Sequence, residues 1–101
     1  MIIYNITSKV SNAIHTDWLK WTEEVYIPEL IATGCFTEGV ILQLLEIDDS
    51  EGPTFAVQMK AESKALYNRY VEHFAEAMKQ KSFAEWGDQF ISFRSVMKVV
   101  N

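Results

Sequence analysis

Residues 36–61 read FTEGVILQLLEIDDSEGPTFAVQMKA, and the way this run divides decides the fold. Its first part, residues 36–47, is apolar on both faces of an extended chain. The acidic cluster Asp48, Asp49, Ser50, Glu51 with Gly52 and Pro53 is a polar turn. From Thr54 to Ala61 the residues alternate: Phe55, Val57 and Met59 fall on one side, Thr54, Ala56, Gln58 and Lys60 on the other. Two β-runs joined by a short polar loop predict an antiparallel hairpin. For the long strand, either Ile41, Gln43 and Leu45 or Val40, Leu42 and Leu44 share a face with Thr54, Ala56 and Gln58; the pattern leaves both open.

On either side of the hairpin the period changes. Upstream, Ile14, Trp18, Trp21 and Val25 recur at steps of four, three and four, one stripe of an α-helix. Asn12 or Thr16 is its candidate cap. Pro28 lacks the amide proton a helix interior needs, so a break or kink is expected near Tyr26–Ile27, with a short turn from Pro28 to Ala32 closed by Gly34 in a left-handed conformation. Downstream, Ser63 caps a second helix predicted to run to about Lys81, with Leu66, Tyr70, Phe74, Ala77 and Met78 as its buried stripe. The string Ser82-Phe83-Ala84-Glu85 matches a capping box and predicts a separate short turn ended by Gly87.

The ends of the chain supply two more strands. In residues 1–10, Ile2, Tyr4, Ile6 and Val10 share one face, and Ile3, Asn5, Thr7 and Lys9 the other. Over residues 89–100, Ile91, Phe93, Met97 and Val99 are expected on the helix-covered face, leaving Phe90, Ser92, Arg94, Val96 and Lys98 on the opposite one. The order is β-α-β-β-α-β. This is the α+β, ferredoxin-like arrangement, an antiparallel sheet of order 4-1-3-2 with both helices on one face because right-handed crossovers put them there. Residues 1–101 are expected to form a single domain, since no repeat, low-complexity tract or Pro/Gly linker divides them.

Two helices shield only one side of such a sheet. The other side, read as Ile3, Asn5, Thr7, Thr54, Ala56, Gln58, Phe90, Ser92, Arg94 and Val96, is too apolar to face water and too polar for an ordinary core. A homodimer packed through this open face, with a semi-polar space between the sheets, satisfies both demands.

Composition narrows the function classes. The chain has 101 residues, 49% hydrophobic and 13% aromatic, with a net charge of −5. That charge argues against nucleic acid, which asks for a basic face, and against anionic membrane surfaces. No apolar run approaches the ~20 residues of a membrane span, and no signal-type start is present. The lone Cys35 forms no internal disulfide, so the cytoplasm is the expected compartment.

The opening M-I-I-Y-N, the string I-H-T-D-W-L-K-W-T-E-E-V-Y-I-P-E-L-I-A-T-G-C-F and the later W-G-D-Q-F-I-S-F-R resemble a small bacterial family catalogued as a domain of unknown function. That family is grouped with the dimeric α/β-barrel superfamily, and the resemblance covers essentially the whole chain. It implies a ferredoxin-like subunit whose sheet faces that of a twin. Superfamily relatives include cofactor-independent monooxygenases, haem-degrading enzymes, muconolactone-isomerase-like proteins and stress-induced proteins, so the fold does not choose the activity. In the family pattern a histidine precedes Ile-Pro where this chain has Tyr26, and a phenol of pKa about 10 shuttles protons less readily than imidazole.

Among single residues, Arg94 stands out: a guanidinium on an inward-facing strand position must meet a carboxylate, carbonyls or an anionic ligand. Asn5, Tyr26 and Gln58 are its expected companions in a ligand-binding pocket. His15 and His73 have no orienting partner or metal-type spacing, so surface roles are simpler. Cys35 reads as a small buried apolar group, and the acids at 48–51 as a solvated turn. Glu23, Glu24, Glu72 and Glu76 read as solvating charges, Trp18 and Trp21 as core, and Trp86 as a residue at the dimer rim. No metal or cofactor is called for, since no nucleotide, glycine-rich phosphate or nucleophile-elbow motif is present. The expectation is therefore a homodimer that binds a small, partly apolar molecule or acts through protein contacts. The alternative is a cofactor-independent monooxygenase- or isomerase-like enzyme working in the dimer cavity.

Overall fold

The computed structural model describes all of residues 1–101. Four strands, β1 (Ile2–Val10), β2 (Glu38–Gln43), β3 (Thr54–Ala61) and β4 (Phe90–Lys98), form one antiparallel sheet of order β2-β3-β1-β4. This is the expected 4-1-3-2 sheet. The helices are α1 (His15–Trp21), α2 (Ile27–Ala32), α3 (Lys64–His73) and α4 (Ala75–Trp86).

Between α1 and α2 the backbone forms a single π-helical turn, Thr22–Tyr26, in which the Ile27 N–H reaches back to the Thr22 carbonyl. Pro28 has no N–H to offer and presses on the carbonyl four residues earlier. The wider turn absorbs that conflict, and the expected break at Tyr26–Ile27 becomes a bulge within a continuous helical segment. Gly34 follows with φ of 80°, as expected of a helix C-terminus.

The second helical region departs from expectation. Ser63 caps α3 through its hydroxyl, which accepts from the Leu66 N–H at 3.2 Å. The helix then breaks at Phe74, where φ is −130°. No glycine or proline marks this point, and the stripe Leu66, Tyr70, Phe74, Met78 passes straight through it, so periodicity is silent. Ser82 lies inside α4 and caps nothing; the chain continues helical to Trp86 and stops at Gly87, φ 61°. Ala77, expected in the stripe, is exposed.

The core lies between the sheet and the helices. Ile2, Tyr4, Ile6 and Val10 of β1 meet Phe55, Val57 and Met59 of β3 there, under Trp18, Tyr26, Leu30 and Tyr70. Strand β2 is shorter than residues 36–47, ending at Gln43, and its face is now fixed. Val40 pairs with Gln58 and Leu42 with Ala56, so both lie on the open side.

The register of β4 requires a correction. Tyr4 pairs with Val96, Ile6 with Arg94, Ser8 with Ser92 and Val10 with Phe90. Directly paired residues share a face, so Phe90, Ser92, Arg94 and Val96 look toward the helices. Ile91, Phe93 and Met97 look away from them, with exposures of 62%, 70% and 42%. The expectation assigned the more apolar face of β4 to the core. Regular pairing with β1, whose even-numbered residues are the core, decides otherwise.

Candidate functional site

The corrected register moves the interesting chemistry to the helix side. A cavity of about 370 Å³ opens between the sheet, the π-helical turn and the end of α4. Its floor is sheet: Ile6, Ser8, Val57, Phe90, Ser92 and Arg94. Trp18, Trp21, Thr22 and Tyr26 form one wall, and Lys79, Ser82, Phe83 and Asp88 the other. Trp18 stacks on Phe55 at 5.4 Å between ring centroids, and Trp21 lies 5.1 Å from Tyr26 and edge-on to Trp86. The apolar wall is thus held by aromatic contacts behind it. An ion pair between Lys81 of α4 and Glu29 of α2 ties the two walls together.

The π-helical turn brings Thr22 and Tyr26 into this wall together. Such turns often occur at functional sites. Thr22 is 1% exposed, and its hydroxyl has no hydrogen-bond partner. Ser8 and Ser92 share one hydrogen bond of 2.9 Å across β1 and β4. Two hydroxyls joined by one bond keep one hydrogen and several lone pairs for a guest.

Arg94 is the polar centre. Its Nε donates to the Tyr4 hydroxyl at 2.9 Å, and no carboxylate lies within ion-pairing distance. Burial pushes the phenols of Tyr4, Tyr26, Tyr67 and Tyr70 above the usual tyrosine range, Tyr70 farthest, while the Arg94 charge opposes that shift at each. Ser82 also favours the Tyr26 phenolate, but desolvation outweighs it. At neutral pH these groups are therefore neutral hydroxyls, able to donate as well as accept.

The four residues singled out in the sequence separate into two pairs. Arg94 and Tyr26 line the cavity. Asn5 and Gln58 pair with each other on the opposite face of the sheet. There the Asn5 amide donates to Thr7 at 2.9 Å and to Ser95 at 3.3 Å, and its carbonyl oxygen is buried without a partner. Sequence reasoning missed Tyr4 and Thr22. Both carried a signal: Tyr4 is a hydroxyl on the apolar face of β1, and Thr22 is the polar member of Trp18, Thr22, Tyr26 at steps of four.

The remaining candidates fall to structural roles. Cys35 is 1% exposed beside Phe36 in the core. His15 and the exposed His73 lie outside the cavity. Asp48 accepts from the Ser50 N–H at 3.0 Å, a turn contact that holds its carboxyl below the usual range. Trp86 packs edge-on against Trp21 within the chain. No three His, Cys, Asp or Glu side chains are grouped to hold a metal ion, and no helix is long and apolar enough to cross a membrane.

With this geometry in place, the sequence matches the family model described as "Domain of unknown function (DUF4286)" over residues 1–100. The chain belongs to that family. No curated protein matches it. Among solved structures it resembles At3g17210 from Arabidopsis thaliana (13% identity, TM-score 0.69, covering 100% of this chain and 99% of that one). It also resembles a putative antibiotic biosynthesis monooxygenase from Nitrosomonas europaea (12% identity, TM-score 0.67, 100% of both chains). A dimeric ferredoxin-like protein from an uncultured marine organism is similar as well (12% identity, TM-score 0.69, 99% and 95%). At these identities the likeness establishes the ferredoxin-like fold of this DUF4286 chain, and nothing about its chemistry.

Proposed function

We propose that this DUF4286 protein is a homodimer, joined through the open sheet face, that binds a small and partly apolar molecule in the cavity between sheet and helices of each subunit. The observation that carries the binding reading is a cavity with aromatic walls and polar groups that keep unused hydrogen-bonding capacity, the terminal nitrogens of Arg94 and the Ser92 hydroxyl foremost. A concave site with largely apolar walls and a few convergent polar groups is the usual form of a small-molecule pocket. The site therefore lies inside each subunit, not between the two sheets. Asn5 and Gln58 belong to the dimer face on this reading.

The dimer rests on the open face itself. Its rows are Val40-Gln58-Asn5-Ser95 and Leu42-Ala56-Thr7-Phe93, flanked by Ile3 and Met97. This side is more apolar than the sequence reading made it. A dimeric ferredoxin-like neighbour makes self-association the natural cover. A single reduced cysteine, buried in the core, accords with a cytoplasmic protein.

Titration with 2-naphthol, a neutral two-ring alcohol, tests the site. The indole N–H signals of Trp18 and Trp21 in a ¹H–¹⁵N spectrum are expected to move, while the amides of Ile3, Thr7 and Phe93 stay still. Shifts confined to the open face would place the guest elsewhere and defeat the reading.

A second reading, a cofactor-independent monooxygenase- or isomerase-like enzyme in the same cavity, draws on the Tyr26 hydroxyl and the Arg94 guanidinium in its lining. They are placed to polarise a bound oxygen. The acid–base complement is thin, since no imidazole lines the cavity and Asp88 is its single carboxylate. Binding without turnover fits that lining better. Substrate-dependent oxygen uptake or isomerisation that Arg94→Met abolishes in a folded dimer would reverse this preference.

A further inference from the structure

Resting on the cavity reading above, we infer that the guest is an aromatic carboxylate, its acid group held by Arg94 and its ring against Trp18 and Trp21.

The chain carries −5 overall, yet the cavity is lined by two cations, Arg94 and Lys79, against one acid, Asp88. None of the three is ion-paired. The four ion pairs of the molecule engage Lys9, Lys60, His73 and Lys81 instead. Lys20, Lys64, Arg69 and Lys98 are likewise without an ion pair outside the cavity, so what favours an anion there is the local excess of cations over acid, against the sign of the chain as a whole.

The bond from Arg94 Nε to Tyr4 orients the guanidinium and leaves both terminal nitrogens without a protein acceptor. Those nitrogens present the planar fork that a carboxylate matches with two parallel hydrogen bonds. The phenols beside it keep their protons at neutral pH, so Tyr26 can donate to the same anion.

Trp18, Trp21, Phe90 and Ile6 provide flat apolar surface for a ring, and about 370 Å³ accommodates two fused rings.

The test uses an isosteric pair, 2-naphthoate and its neutral amide 2-naphthamide, titrated into the full-length protein while the three indole N–H signals are followed. Naphthoate is expected to bind about tenfold tighter or more, the scale of a hydrogen bond to a charged group at a partly exposed site. The preference should shrink with added salt. Arg94→Met should erase it while the amide still binds, and Lys79→Gln, on exposed α4, should reduce it even if the Arg94 variant folds poorly. Equal binding of the two probes, or an unchanged preference in both variants, overturns the anion inference and leaves the cavity reading standing. Neither probe moving Trp18 or Trp21 overturns both.

Discussion

Replacing Phe93 with serine should break the proposed dimer without touching the fold of the single chain. Phe93 sits on β4 opposite Thr7, in the same row as Ala56 and Leu42, and is 70% exposed in the single chain. Burying a whole phenylalanine side chain contributes about 1.5–3 kcal/mol. Roughly two-thirds of that remains to be gained on pairing, about 1–2 kcal/mol per copy. A two-fold interface contains the residue twice, so the variant should lose about 2–4 kcal/mol, a dissociation constant raised roughly 30- to 1000-fold. The fold itself should hold, because most of the ring contacts nothing within the subunit. Sedimentation equilibrium across a concentration series reads the constant, and circular dichroism checks the fold. Phe83→Ser is the matched control: Phe83 is 65% exposed but lies on α4, away from the open face. A wild-type protein that is monomeric at tens of micromolar, or a Phe93→Ser dimer as tight as wild type, would refute the assignment of this face.

Three further outcomes test other parts of the structure. Thr22→Val keeps the β-branched shape and removes an unpaired buried hydroxyl, so urea unfolding of the empty protein should show a gain of about 1 kcal/mol; a loss of that size would mean the hydroxyl is already paired. All four tyrosines have raised pKa values from burial. Below about pH 10 folded and unfolded chains are equally protonated, whereas above it only the unfolded chain releases phenol protons. Stability should therefore fall as pH rises from about 10 toward the higher folded values, and tyrosinate absorbance should appear only with unfolding. Absorbance titrating near pH 10 in a folded protein would contradict the burial argument. Finally, Gly52 has φ of 146°, and a Cβ there would run into the Val10 carbonyl, whose neighbourhood holds the bonds Val10 N–H to Pro53 and Asn12 N–H to Glu51. Gly52→Ala should cost about 3 kcal/mol or more in a urea melt, and an unchanged midpoint would show the loop to be more adaptable than it looks.

The order of strands and helices was legible because each element repeats its own period locally. Alternation marked β1 and β3, the stripe of Trp18 and Trp21 marked the first helix, and the polar turn at residues 48–53 joined the hairpin. Topology then followed from crossover handedness, and the family resemblance pointed the same way. Which face of β4 turns inward was another matter. Ile91 and Phe93 make the outward side more apolar than Phe90, Ser92 and Arg94 make the inward one, so a pattern argument selects the wrong side. Pairing with β1 fixes the answer, and register between strands nearly ninety residues apart is not a local property. The site moved with that face. Sequence alone determined that Arg94 needs a partner, because a guanidinium cannot shed its charge. Only the folded chain decided that Tyr4, Tyr26 and a cavity meet it there, since those residues converge through a sheet pairing and a widened helical turn that no single stretch of the chain encodes.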